Sequence, residues 1–520
     1  MIPESTLPDL DTIEDRPYAP IQSDDAVQYE RPVAWTDEGD EARSGDDVVA
    51  DGVLPPSTPR AGGTLPAWRF GADAWRMNRR LTRRQANLIL RVRSARVLPA
   101  AFQARFTGMG LPSDVVDETL NSIRSLDDWA DAWIETAQRY LGDYRRQVSA
   151  GNHVDGARNQ AMAGLCYHIA QIVTDPNDVR TATMCRAAAA SLFGHAIPYV
   201  YPSVTRMEFP WRTKSLPGYL HVPLEAQTTG GYGLVVILNG ANSSKEEMLT
   251  WAGPFMRAGL AVLALDSPGT GEASRTPFAP DQDDILDGVF ETLARDPRLD
   301  LTNVVVVGVS LGGNQAIRCA ADDRRIAAVV TVTAPVEPSK WIARISPLFG
   351  DELMAMSGLD APTIMSLSEQ IDLGQTLPRI QCPVLVIGAG RDVIVPPTDS
   401  QRLAQSLGSL ATLDWFGHSG HGVYDQIGTW TADAARWVAA VIDAHAEIRP
   451  SGSHDRLESS VAIAAEARHA LLTTPVLDQI SWDDDFEEGG ARLLSEDEIL
   501  EDDPDWYRPA GEVPGTGHRD

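Results

Sequence analysis

Ser310 lies in the run NVVVVGVSLGGNQAIRCA, residues 303–320, which reads as a valine-rich strand, a turn Gly308-x-Ser310-x-Gly312 and a helix. A turn this sharp brings backbone and following helix too close for side chains, hence the glycines, and holds the serine strained with its Oγ exposed. A serine hydroxyl is a weak nucleophile at its free pKa, so attack on a carbonyl carbon requires a histidine base and an acid to orient it. For a nucleophile on such a turn the order along the chain is serine, acid, histidine. The run CPVLVIGAG ends at Arg391-Asp392 and puts Asp392 where a strand leaves the same carboxyl edge as Ser310. Glu337, just past the preceding strand, is the alternate acid. Among the histidines beyond Asp392, His445, His454, His469 and His518 fall in a closing helix or outside the core. His418 and His421 remain, in the loop FGHSGHG; His418, nearer the strand end, is the expected base and His421 the alternate. A tetrahedral oxyanion needs backbone N–H donors, one from Leu311 and one from Ala241 or Gly240 in the loop Asn239-Gly240-Ala241-Asn242. Asn242 is either a ligand contact or simply a turn former.

Such a constellation needs a rigid sheet edge. From Arg206 to about Ala446 short apolar runs alternate with amphipathic helices, the mark of an α/β, mostly parallel, doubly wound sheet. The expected strands are Met207–Trp211, Gly218–Val222, Gly233–Leu238, Ala261–Leu265, Val304–Val309, Ala327–Val332, Val384–Ile387 and Leu413–Phe416. Helices are expected over 400–407 and 432–444, while 335–377 shows no clear strand and reads as an excursion over the sheet's edge. Ahead of the sheet the period is helical: Trp129, Trp133, Ala137, Tyr140 and Leu141 recur at spacings of three and four, and 157–173 and 179–193 read the same way. The expected organisation is an acidic disordered arm (1–62), an all-helical domain (63–205), the α/β core (206–449, with the excursion at 336–378), and a C-terminal helix near 456–472 followed by an acidic tail (450–520 together).

The formal charge of −29 is concentrated at the two ends: residues 1–52 hold 15 Asp/Glu against three Arg, and residues 483–520 hold 14 against three. That balance and the lack of a binding motif argue against nucleic acid. Ten arginines between Arg69 and Arg105, against Asp73 alone, read as an exposed basic helix; docking of the acidic tail on it is left open, as is a homodimer. No apolar run reaches membrane-spanning length and no leader pattern opens the chain, so a soluble, cytoplasmic protein is expected. Cys166, Cys185, Cys319 and Cys382 form no CxxC pair and read as buried thiols; no metal or cofactor is expected.

NGANSSKEE after the third strand, LDSPGTGEA after the fourth, GVSLGGNQA at the serine turn and GHSGHG at the histidine loop come in order behind a helical segment. From about Trp68 to Val441 the chain thereby resembles the α/β-hydrolase family of 2,6-dihydropseudooxynicotine hydrolase and the fermentation-respiration switch esterases, related to fungal hydrolases that shorten polyketide precursors. The acidic ends and the glutamate in GTGEA depart from that pattern. The resemblance implies an α/β-hydrolase fold with the helical domain as a lid, and Ser310, Asp392 and His418 as a triad. It implies hydrolysis, through an acyl-enzyme, of an ester or of a C–C bond next to a ketone in a small or medium-sized carbonyl substrate. Acyl transfer or cyclisation would use the same acyl-enzyme. An inactive scaffold recruiting a partner through its acidic ends is the alternative from another class.

Overall fold

The computed structural model describes residues 82–473, apart from 94–99, 174–177, 224–230, 346–349, 351–352, 355–356, 358 and 449–455. The acidic arm 1–62, the acidic tail and much of the Arg69–Arg105 stretch, with the tail docking expected there, lie outside the described residues.

The helical part runs through α1 (Arg83–Arg93), α2 (Ala100–Gly108), α3 (Ser113–Ser122), α4 (Trp129–Ser149), α5 (His153–Ala170) and α6 (Val179–Val200). On α4 the expected stripe is inward: Trp129, Trp133, Ala137 and Leu141 are buried. Phe106 of α2 meets Trp133 edge-on at 5.3 Å between ring centroids, so α2 is anchored to α4 by aromatic packing. Asp178 caps α6 by accepting from the Thr181 amide at 3.1 Å.

The sheet follows. Its strands are β1 (Val204–Trp211), β2 (Lys214–His221), β3 (Tyr232–Leu238), β4 (Ala261–Leu265), β5 (Leu299–Val309), β6 (Ile326–Val332), β7 (Val384–Ala389) and β8 (Ala411–Phe416). Their order is β1-β2-β4-β3-β5-β6-β7-β8; β1 with β2 and β2 with β4 are antiparallel, and the other pairs are parallel. All eight expected runs are therefore strands. The unbroken valines of β5 have the reason usual for a parallel strand covered on both faces. Val305, Val307 and Val309 enter the hydrophobic cluster of one face, and Val304 and Val306 that of the other.

The connections supply α7 (Lys245–Thr250), α8 (Gly253–Arg257), α9 (Asp287–Leu293), α10 (Leu311–Asp322), α11 (Ala361–Gln370), α12 (Pro397–Leu407) and α13 (Ile427–Ile448), and α14 (Arg456–Thr473) closes the described chain. The first face is shared by α13, α14 and the helical part, whose Trp129 and Trp133 belong to the same cluster as Trp430 and Trp437 of α13. The second face is filled by α9, α10 and α12. The excursion 335–377 leaves β6 at its carboxyl end and contains no strand among its described residues. It is tied down by Asn314 of α10, which donates to the carbonyls of Pro335 (3.0 Å) and Ile371 (2.8 Å), and by Asp399 of α12, which accepts from the Val336 amide at 2.8 Å.

Register decides where chemistry can collect. Leu238 of β3 pairs with Gly308 of β5, Val309 with Val332 of β6, Val332 with Ile387 of β7, and Ala389 with Phe416 of β8. Five parallel strands thus end almost level, and the loops after them share one edge.

Candidate active site

At that edge the chain turns from β5 into α10 through Ser310, at φ 55 and ψ −121. This is a conformation that side-chain-bearing residues avoid and that persists only where the surroundings enforce it. The enforcement is visible. The Ser310 amide donates to Val332 O at 2.8 Å, and the Gly313 amide to Ser310 O at 2.8 Å. A methyl on Gly308 would lie 2.2 Å from Gly312 O, and one on Gly312 would lie 2.4 Å from Leu238 O, so neither position admits a side chain. Leu311 opens α10, where the first amides have no intrahelical acceptor.

Asp392 leaves β7 at the same edge and is 2% exposed. Its Oδ1 accepts from the amides of Ile394 (2.8 Å) and Val395 (2.9 Å), which fixes the carboxylate, and its Oδ2 meets His421 Nδ1 at 2.7 Å. The histidine expected in this role was His418, with His421 as alternate; the structure brings His421 to Asp392 and leaves His418 exposed. This placement has a local cause. After β8 the chain folds back along the Asp392 loop, with Gly390 N donating to Phe416 O (3.0 Å) and Arg391 N to Ser419 O (2.9 Å). That turn carries residue 418 outward and residue 421 inward. Glu337, the alternate acid, is ion-paired with Lys340 at 2.9 Å and with Arg402.

Backbone strain gathers around this pair. Four non-glycine residues among those described have positive φ: Arg212 (53), Ser310 (55), Thr333 (47) and Val423 (49). Three of them belong to the site, and two of those are β-branched, for which the left-handed region is a real outlier. They are linked, because the Gly422 amide donates to Thr333 Oγ1 at 3.1 Å. Val332 therefore holds the amide of Ser310, while the next residue holds the amide that follows His421. Thr333 was missed by the sequence reading; its only signal is its place one residue past a strand end.

The loop after β3 lies over the serine: a methyl on Gly240 would be 3.5 Å from Ser310 Cβ. Gly240 and Ala241 are thus at the position expected of the second oxyanion donor, and Asn242 turns elsewhere. Its side chain accepts from Arg105 Nη1 at 3.0 Å. Arg105, read from sequence as one of an exposed basic run, is 1% exposed. Its Nε and Nη2 each lie 2.7 Å from one oxygen of Glu247, and Glu247 also meets His168 Nε2 at 3.0 Å. Burial alone would raise the Glu247 carboxyl; the Arg105 guanidinium, together with His168, more than offsets this and holds it down at about 2.

The other side of the loop is fixed by Lys245, fully buried, whose Nζ contacts Glu246 (2.5 Å), Asp266 (3.2 Å) and Glu272 (2.8 Å). Asn239 donates to Thr270 Oγ1 at 2.8 Å and accepts from the Ser267 amide at 3.1 Å, tying this loop to the one after β4. In sequence, Ser244-Lys245-Glu246-Glu247 has the form of a capping box. The fold spends these side chains otherwise: Ser244 Oγ lies 3.2 Å from His168 Nδ1, and three consecutive charged residues are buried.

A serine on a strained strand-to-helix turn, a carboxylate paired with a histidine on later loops of the same edge, and a mostly parallel eight-stranded sheet are the features of an α/β-hydrolase. Within that class the chain belongs to the FrsA-like esterase family, whose model matches residues 114–412, more than half of the chain. It is 24% identical over 269 residues to the 2,6-dihydropseudooxynicotine hydrolase of Paenarthrobacter nicotinovorans, covering 51% of this chain and 71% of that protein. To Esterase FrsA of Vibrio cholerae it is 24% identical over 301 residues, 53% of this chain and 71% of that one. To Hydrolyase ccsE of Aspergillus clavatus it is 28% identical over 360 residues, 55% of this chain and 80% of that one. A crystal structure of the 2,6-dihydroxy-pseudo-oxynicotine hydrolase superposes with a TM-score of 0.58 at 22% identity, covering 66% of this chain and 96% of that one, and shows the shared fold. The chain is thus a hydrolase of the α/β-hydrolase family. Among the described residues no helix is long and apolar enough to cross a membrane.

Proposed function

We propose that the protein is a serine hydrolase that attacks the carbonyl carbon of a small or medium-sized, partly apolar ester, or of a ketone flanking a scissile C–C bond, through an acyl-enzyme on Ser310. The observation that carries this reading is the 2.7 Å contact between His421 Nδ1 and a carboxylate already fixed by two amides. With Nδ1 bound to Asp392, Nε2 is the nitrogen that takes the Ser310 proton. Asp392 then balances the imidazolium. The amides of Leu311 and of Gly240 or Ala241 receive the oxyanion. His421 returns its proton to the leaving group, and water attacks the acyl-enzyme by the same route in reverse. The helical part of the chain serves as the cover of the site, and the substrate is a carbonyl compound held beneath it.

A fluorophosphonate probe tests this. It is expected to label Ser310, as read by peptide mass spectrometry, and Ser310→Ala should abolish both labelling and hydrolysis of p-nitrophenyl acetate. His421→Ala should reduce kcat by about 10³-fold or more, as loss of a triad member does elsewhere, whereas His418→Ala should stay within a few-fold of wild type. A wild-type enzyme that is folded yet unlabelled, or a greater loss at His418 than at His421, would overturn the assignment.

A further inference from the structure

Arg105 belongs to the helical part of the chain, yet the contacts described for its guanidinium are to the loop after β3, to helix α7 that follows it, and to the histidine loop. Nη1 donates to Asn242 Oδ1 (3.0 Å) and Nη2 to Ser243 Oγ (3.0 Å), one and two residues past Ala241, and the fork closes on both oxygens of Glu247 at 2.7 Å. On its other side the guanidinium carbon is 5.2 Å from the centroid of the Tyr424 ring, three residues past His421. Tyr424 in turn fills the space against Gly422, where an added methyl would lie 2.4 Å from the ring. One buried cation thus touches the loop that carries the oxyanion donors and the loop that carries the base. A planar fork making paired bonds to a carboxylate while its face rests on an aromatic ring is a task for arginine; lysine offers a point charge and cannot hold both directions at once. The cation is held from its own side too. α2 packs so closely on the start of α13, just past the histidine loop, that a methyl on Gly108 would lie 2.4 Å from Ile427 Cδ1. Glu247 is further bound to His168 of α5, and the Asn242 carbonyl accepts from Gln171 at 3.3 Å.

We propose that Arg105 is a positioning residue, which registers the oxyanion loop 239–244 against the histidine loop 417–424, so that the helical part of the chain completes the active site rather than merely covering it. This rests on the reading of Ser310, Asp392 and His421 as a hydrolytic triad. Arg105 itself touches no reacting atom.

The test compares the full-length wild type with Arg105→Lys, Arg105→Ala and Arg105→Ala/Glu247→Leu, the last removing the carboxylate that a single truncation would strand. Fluorophosphonate labelling rates and p-nitrophenyl acetate kinetics are measured with and without added guanidinium ion. Hydrogen exchange of peptides covering 239–247 and 417–426 is followed in parallel. Arg105→Lys is expected to keep the fold and lose roughly a hundredfold to a thousandfold in kcat, the cost of a misplaced oxyanion donor, with KM little changed. Guanidinium should restore part of the activity of Arg105→Ala, and exchange should accelerate in both loops while the sheet stays protected. Folded variants that label and turn over at the wild-type rate would overturn the proposal, as would loops whose exchange is unchanged. If the wild type itself fails to label, the triad reading falls; the exchange data still decide whether Arg105 registers the two loops.

Discussion

Thr333 and Val423 hold left-handed backbone conformations that β-branched side chains normally refuse, and both sit within a few bonds of Ser310 and His421. Such strain survives only where neighbouring interactions over-determine it, and here one of them is the hydrogen bond from the Gly422 amide to Thr333 Oγ1. Thr333→Val preserves the shape and the strain and removes the acceptor, leaving a buried amide without its partner at a cost of about 1–3 kcal/mol. A fall of several degrees in Tm and a reduced kcat are expected, whereas Thr333→Ser, which keeps the hydroxyl, should retain most of both. Calorimetry together with steady-state kinetics checks this, and a wild-type kcat in the valine variant would exclude the anchor. At this scale the sequence carried Ser310 and Asp392 to one edge, because the first directly follows an apolar run and the second comes three residues after one. It did not carry which of two histidines three residues apart meets Asp392. That choice is made by the loop folding back along Gly390 and Arg391, a contact between segments separated in the chain that no local spacing encodes.

Elements were more legible than residues wherever a buried run had a period of its own. The strands needed only their valines and the turn residues beside them, and α4 only its tryptophan spacing. The Arg105 helix failed this test for a physical reason: an arginine among many arginines reads as solvated until its partner is known, and Glu247 lies 142 residues away. The C-terminal helix shows the converse. α14 was legible as a helix, but its place was not. It docks on α13 through Ile463, Ala467 and Leu471, and Ser460 Oγ donates to Gln381 O at 2.6 Å beside β7. Ile463 is 2% exposed and Leu472 is 62% exposed. Ile463→Ala should therefore cost about 2–4 kcal/mol, and Leu472→Ala less than about 0.5 kcal/mol. Denaturant titration distinguishes them; equal costs would mean that α14 does not pack on the sheet's covering helix.

For the molecule as a whole, the junction between the helical part and the sheet is polar where it meets the site and apolar elsewhere, and Glu247 is its most consequential ionisable group. The carboxyl lies near 4.5 when unfolded; in the fold, burial pushes it up, and the Arg105 guanidinium together with His168 more than reverses this, to about 2. A depressed carboxyl pKa means that the folded state binds fewer protons than the unfolded state between those values. The associated stability is therefore fully present above pH 4.5 and is lost as pH falls toward 2. A shift of this size corresponds to something on the order of 3 kcal/mol. Glu247→Gln should accordingly be less stable than wild type at neutral pH, since it leaves the Arg105 charge buried against a neutral amide. The gap should narrow steadily as both proteins are titrated from pH 5 to pH 3. Chemical denaturation across that range measures it directly, and taking the difference between the two proteins cancels the acidic ends, which both carry. A gap that does not change with pH would mean that Glu247 is not ionised against Arg105. The same pair joins the helical part to the loop after β3, so its loss should reach the site as well as the fold. In Glu247→Gln activity should already be impaired at neutral pH, before any unfolding is seen.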